Sequence, residues 1–519
     1  MSRESERLFA AMSDLDDKAV DEAAEAMEKR KKPWFWKAGL AAALVLMAGA
    51  GSLLFLLPWG GGGSGGAGSS GASTFMSYAG PVFPLTLREA NGTITAQRDI
   101  TLDFAPWLPV WEADEDGGGW YNYENDVLVT DAYTLTNASG QDQTVSVLYP
   151  FASDLSRVGF GGSTPTLSLN GQKLDTVLYA GNYTGGYMGA WGSTLFEEES
   201  PGSVNLDRPD CWEDYRDALS GGDYLEKALA GYPDLSGLPV AVYEFTDAWG
   251  PEQSEKVPNP SLRASFRLDF DKTTVFSTGF HAMRWDPETG EMTLGFSIPE
   301  PDEPVDDGSF SIIVLGDDIR DLTLQGYVTG GVDDEPKVEA GATVTRYESS
   351  MEEVLRRYAE AAYGRGDWEN RVSFEMYFGL MKDQLLYYGL LAEEPMQMYT
   401  SGFLSDLNFA SVDRVFYLEA EVTIPAGGSV TLAAEMRKEG SYDFYCANTE
   451  NRGIYGYDLV TELGSNLDCA GQTASLEDRG QIEIVRNNFG FDLEKDIRSA
   501  ALDPAVEHYY LEVRRVNEP

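Results

Sequence analysis

The sequence predicts a mainly β protein with helical insertions (α+β): one N-terminal transmembrane helix, then β-sandwich-like exterior domains. Three observations predict this. A single uncharged apolar run occupies 38–57. Beyond residue 75, short stretches alternate apolar and polar residues between Gly-, Pro- and Asn-containing turns, the period-two signature of half-buried strands. Helical spacing of apolar residues is confined to a few stretches, chiefly 349–362 and 368–391.

Composition narrows the function. The 519 residues carry 38 Lys+Arg against 85 Asp+Glu, a net charge of −47. Such a chain repels polyanions, so nucleic acid is excluded as a partner, because its binding requires cations to displace counterions from phosphates. Hydrophobic residues make up 43% and aromatics 12%, enough to build cores rather than a disordered chain. Three cysteines (Cys211, Cys446 and Cys469), with no C-x-x-C pair, cannot form a disulfide framework, and with two histidines far apart in sequence (His281 and His508) they leave little material for a four-ligand zinc site. A Cys446–Cys469 bridge remains one alternative to three buried thiols.

The N-terminus sets location. The run AGLAAALVLMAGAGSLLFLL at 38–57 is as long as a helix crossing a bilayer core of about 30 Å. Trp34, Phe35, Trp36 and Trp59 flank it as an aromatic belt, and 38–59 is assigned as the transmembrane helix. Lys29, Arg30, Lys31, Lys32 and Lys37 precede it, and no Lys or Arg follows until Arg88. The asymmetry places 1–37 in the cytoplasm and the C-terminal part outside, a single-pass arrangement in the cell membrane. Ala48-Gly49-Ala50 resembles a signal-peptidase site, but the apolar run continues through Leu53–Leu57, so an uncleaved anchor is expected. Tail residues Leu8, Phe9, Met12, Leu15 and Val20 form either part of a solvated spacer or a small docking helix for a cytosolic regulator. Residues 60–74, GGGGSGGAGSSGAST, read as a flexible linker.

The exterior then divides into a β-rich domain with a small helical insertion, 75–345, and a helical pair plus a β-sandwich-like domain, 346–519. A hairpin is expected where Val127, Val129, Tyr133 and Leu135 lead to the turn Asn137-Ala138-Ser139-Gly140 and Val145, Val147 and Tyr149 return. Asn170-Gly171 suits a type I′ turn within 166–178. Strands follow at 240–245, 264–270, 293–298 and 310–315. Residues 208–230 read as two short helices. In 349–362, Met351, Val354, Leu355 and Tyr358 share a face; in 368–391, Phe374, Tyr377, Phe378, Met381, Leu385 and Tyr388 do so. A second hairpin is expected from 415–424, turning at Pro425-Ala426-Gly427-Gly428, to 429–436, with further strands at 482–485 and 509–513.

Little catalytic chemistry is legible. Neither histidine sits in a nucleophile motif, and G-x-S-x-G, H-E-x-x-H and a P-loop are absent. Carboxylates are too numerous to single out the pair a hydrolase needs. The acidic loop Asp114-Glu115-Asp116-Gly117-Gly118-Gly119, with Asp126 nearby, offers oxygen ligands and a pliable backbone for calcium. Asp114, Asp116 and Asp126 are therefore the candidate ligands, a solvated loop being the alternative. Asn91, Asn137 and Asn182 head N-x-[ST] sequons, which act as acceptors only in a eukaryotic secretory route; low cysteine content argues instead for a bacterium.

The tail text Leu8-Phe9 … Ser13-Asp14-Leu15-Asp16-Asp17-Lys18, with Gly456-Tyr457-Asp458-Leu459 and Asn488-Phe489-Gly490-Phe491-Asp492-Leu493 near the C-terminus, resembles Gram-positive bacterial single-pass membrane proteins. These have a short acidic cytoplasmic tail and an uncharacterised β-rich exterior domain, and some are anti-sigma-factor-like. The zinc-containing subtype is excluded, because the tail has no His or Cys. The expected function is a membrane-anchored surface protein with an acidic binding or structural ectodomain, meeting the lipid bilayer and a surface protein or wall polymer. The alternatives are an anti-sigma-like regulator, whose tail holds a transcription factor, and a surface hydrolase using two carboxylates.

Overall fold

The computed structural model describes residues 75, 77–113, 119–183, 216, 219–220, 222–298, 310–330, 336–387, 404, 407, 409–443 and 451–516. The chain divides into two units, Met1–Trp59 and Gly60–Pro519. The first, with the expected tail and transmembrane helix, lies outside the described residues, as do the 60–74 linker and most of 208–221. Among the described residues no helix is long and apolar enough to cross a membrane. Among the described residues strand accounts for 51% and helix for 13%, a mainly β fold with helical insertions.

The two expected hairpins take a different form. Asp126–Asn137 and Gln143–Ser153 do not pair with each other, nor do Arg414–Ile424 and Ser429–Glu439. Each is an arch whose two strands enter different sheets. Gln143–Ser153 pairs with Arg414–Ile424 in a four-stranded sheet, while Asp126–Asn137 pairs with Ser429–Glu439 in a seven-stranded one. The apolar alternation is real, since Val127, Val129, Tyr133 and Leu135 are buried, as are Val147 and Tyr149. Alternation states which face is buried but not whether the return strand lies beside the first or opposite it.

Asn137 ties the two arches at their turns. It is fully buried, and its Nδ2 donates to the carbonyls of Gln141 at 2.8 Å, Ile424 at 3.1 Å and Pro425 at 3.2 Å. Its Oδ1 accepts from the Ser139 backbone at 2.9 Å. The amide nitrogen a glycan would need is therefore spent inside the fold. The Asn170-Gly171 turn is as expected, with φ of 51° and 80° joining Thr166–Leu169 to Gln172–Lys173.

The expected boundary at 345/346 is corrected by the pairing. It falls inside Gly341–Ser350, which runs antiparallel to Pro239–Trp249 with Thr345 opposite Glu244 and Arg346 opposite Tyr243. Instead, strands from 86–183 share sheets with strands from 414–502, including one parallel pair, Ile94–Asp103 with Asp468–Glu477. Between them 239–350 forms a sandwich of a four- and a five-stranded sheet. Its core is aromatic: Phe280 meets Phe245 and Phe296 edge-on, with centroids 5.6 and 5.3 Å apart. Period-two alternation gives one of its sheets two apolar faces, Ile312 and Val314 turning into this core and Ile313 into the main one.

Two helices close the main core. Ser350 caps Met351–Arg365 by accepting from the Glu353 backbone at 3.3 Å, and Glu352 and Glu353 lie in the first turn, where carboxylates suit the dipole. Phe374–Tyr387 buries Met376, Tyr377, Phe378, Leu380, Met381 and Leu385, covering most of its circumference. Among the described residues of the expected 208–230 pair, Asp223–Ala230 is helical.

The main core also holds charge. Arg98 and Asp131, both 0% exposed, form a two-bond pair at 2.8 Å each. Tyr133 and Tyr149 donate to Asp131 Oδ2 at 2.9 and 3.1 Å, and Arg98 reaches the Val460 carbonyl at 2.6 Å. Burial pushes both phenols well above their usual range, so they remain donors.

Candidate functional site

The most unusual surface is a two-stranded ribbon, Val110–Ala113 with Gly119–Asn122. Trp111 stands opposite Tyr121 in the register, and Tyr123 lies two residues further along the same face. Trp111 is 53% exposed, Tyr121 54% and Tyr123 36%, whereas most large aromatics of the main core are buried. The Trp111 and Tyr121 rings meet edge-on with centroids 4.9 Å apart; Tyr123 is 6.4 Å from Tyr121. The other face carries Val110, Glu112 and Asn122, with Asn122 Nδ2 donating to Glu112 Oε1 at 2.9 Å.

Gly119 shapes this face. A Cβ there would lie 2.4 Å from the Glu112 carbonyl and 2.6 Å from the Trp111 ring, so only glycine lets the indole rest on the opposing backbone.

The base of the ribbon is fixed from both sides. Trp107, fully buried just before it, donates from Nε1 to the Tyr457 hydroxyl at 3.1 Å. Tyr457 in turn donates to the Asn125 carbonyl just after it. Arg515 lies 4.7 Å from the Trp107 ring and 5.0 Å from the Tyr123 ring, donates to the Trp107 carbonyl, and reaches the Glu124 carbonyl at 2.8 Å and Asn125 Oδ1 at 3.0 Å. The aromatic face thus stands on an anchored foundation.

Of the expected calcium ligands, Asp126 is the one that the structure describes. Asp114 and Asp116 fall in 114–118, outside the described residues, in the segment joining Ala113 to Gly119. Asp126 opens the strand Asp126–Asn137, where its Oδ2 lies 3.3 Å from Arg437 Nε; Arg437 also pairs with Glu124. Burial raises the Asp126 carboxyl above its usual range and Arg437 opposes that rise. Among the described residues no three Asp, Glu, His or Cys side chains converge to hold a metal. Of the cysteines, Cys469 is a free buried thiol, raised to about 11 by burial; Cys211 and Cys446 lie outside the described residues. His281 precedes the strand Ala282–Asp286 in the inserted sandwich. His508 opens His508–Arg515 in another sheet, its Nε2 2.8 Å from Asp458 Oδ2.

Sequence reasoning passed over the ribbon's aromatics. The signal was present: Trp111, Trp120, Tyr121 and Tyr123 crowd around an Asp/Gly-rich stretch of sequence, with only Val110 and Ala113 as aliphatic residues. A strand pair rich in rings and poor in aliphatics has little to bury in a core and much to offer a partner. Scanned against known protein families, the chain matches no family model, and no curated protein matches it.

Proposed function

We propose that this chain is a membrane-anchored surface protein whose β-rich ectodomain binds a neutral or amine-bearing wall polysaccharide through the Trp111–Tyr121–Tyr123 face. The observation carrying this reading is the exposure of three rings on one face of a ribbon whose base is locked by Trp107, Tyr457 and Arg515. Sugar rings present flat C–H faces that stack on indole and phenol rings, and a preorganised platform avoids the ordering cost of binding. The net charge of −47, with Asp114, Glu115 and Asp116 next to the ribbon in sequence, disfavours anionic wall polymers by the same Coulombic argument that excludes nucleic acid. The apolar run 38–57 and its basic flank support the anchor.

The test is co-sedimentation of the full chain with insoluble wall polysaccharide stripped of its anionic polymers. Trp111→Ala with Tyr121→Ala should cut retention by more than about tenfold, since aromatic anchors carry interface energy, while leaving the melting temperature within about 2 °C. Equal retention of the double variant, or no retention of the native chain, would sink the reading.

A further inference from the structure

A second site lies in a cavity of about 260 Å³. It is bounded by the helices Asp223–Ala230 and Phe374–Tyr387 and the sheet strands Val177–Tyr183 and Arg414–Ile424. Two glycines make it possible. A Cβ on Gly181 would lie 2.4 Å from the Val415 carbonyl and 2.7 Å from that of Tyr224, so glycine lets Asp223–Ala230 dock on the sheet edge. A Cβ on Gly379 would lie 2.2 Å from the Tyr232 ring, so glycine lets that ring lie on the Phe374–Tyr387 backbone as a wall. Burial pushes the Tyr232 phenol up to about 12, which keeps it protonated as a donor.

The cavity has a charged floor and apolar walls. Arg414, 1% exposed, places Nη2 3.1 Å from Asp383 Oδ2 and Nη1 3.2 Å from the Gly181 carbonyl. Lys227 pairs with the other Asp383 oxygen. Glu375 also borders the cavity but is engaged by Arg356 at 3.0 Å. Among the described residues two cations thus meet at one carboxylate, so the three side chains Lys227, Asp383 and Arg414 together carry one net positive charge within a chain of net charge −47. The ammonium of Lys227 has three N–H groups and its side chain is one-third exposed, so it can turn donors toward an incoming anion. Leu178, Ala180, Leu229, Met376 and Leu380 supply apolar walls.

We infer that this cavity binds a small monocarboxylate with a compact apolar body, its carboxylate completing the Lys227–Asp383–Arg414 floor and its hydrocarbon part lying between Met376 and Leu229. The volume falls just under the usual range for small-molecule sites, which limits the ligand to one ring or a short branched chain. The inference stands apart from the ribbon, and neither depends on the other.

The test is calorimetric titration of the full chain in nonionic detergent with phenylacetate and 4-methylpentanoate, each against its uncharged amide. Saturable binding of at least one acid below about 1 mM is expected, with its amide roughly tenfold weaker because it lacks the charge the floor pairs with. Lys227→Met should abolish the preference for acid over amide. Leu229→Trp, at a half-exposed wall position, should weaken both by filling the space, and melting curves check that each variant is folded. Neither acid binding at about 10 mM, or Lys227→Met discriminating as the native chain does, would overturn the inference.

Discussion

The main body and the inserted sandwich are both two-sided β structures, yet they are held together by different means. The sandwich pairs strands drawn from within 239–350 and fills its core with Phe245, Phe266, Phe280, Phe296 and their neighbours. The main body joins strands several hundred residues apart and places polar devices at the joints: Arg98, held by Asp131 on the neighbouring strand of its own sheet, reaches the Val460 carbonyl of another sheet, Asn137 lies between arches, and Arg414–Asp383 beside the closing helices. Apolar packing rewards any register that buries the right face. A bidentate ion pair or a three-carbonyl amide rewards only one. The difference suggests that long-range pairing here is specified by polar contacts and local pairing by packing.

The sharpest way to break this contrast is at Asp131. Asp131→Ala leaves Arg98 buried without its carboxylate and should cost about 3–5 kcal/mol in chemical denaturation. Replacing both partners, Arg98→Met with Asp131→Leu, should recover most of the loss. If the pair does specify register, the double variant should still show broader hydrogen exchange across 94–103 than the native chain; unchanged exchange would reduce the pair to a stability element.

Asn137→Ala should cost about 2 kcal/mol, since it strips both arch turns of a shared donor. Ser139→Ala, which removes the other half of the sequon, touches one turn only and should cost under about 1 kcal/mol. Equal effects from the two would mean that Asn137 does not join the arches.

A smaller effect is expected with pH. The folded chain holds the Cys469 proton up to about 11, whereas the unfolded chain releases it near the ordinary thiol value, so unfolding releases a proton between these limits. Stability should therefore be fully present below the ordinary thiol value and fall as pH rises through the window. Cys469→Ala should flatten that part of the pH–stability curve, and the native thiol should resist Ellman's reagent until the chain unfolds. The smallest change in stability is expected at Gly119→Ala: within about 1 kcal/mol by denaturation, because the ribbon contributes little to the core, but with clear loss of polysaccharide retention as Trp111 is displaced.

Element types were legible and partners were not. The strands around Val240, Ala264, Thr293 and Phe310 and the existence of helices within 349–362 and 368–391 follow from periodicity, because burial of one face imprints two- or 3.6-residue spacing, although the second helix begins only at Phe374. The turns at Asn137–Gly140 and Pro425–Gly428 were equally readable, yet both join strands of different sheets. Periodicity records the environment of each residue and carries no term for a neighbour 279 residues away. The boundary at 345/346 failed for the same reason. At the ribbon, a rule that assigns aromatics to cores overlooked rings that have no core beneath them.

Arg515 has a consequence for the order of events at the ribosome. The ribbon at 110–122 emerges early, but the guanidinium securing its base belongs to the strand His508–Arg515, and the strand Gln143–Ser153 waits for a partner that begins at Arg414. At about 5–20 residues per second, that interval is roughly 15–50 s during which sheet edges stand open. The nascent chain must cross this period without aggregating, and a synthesis pause placed before residue 414 would lengthen the exposure rather than help the fold.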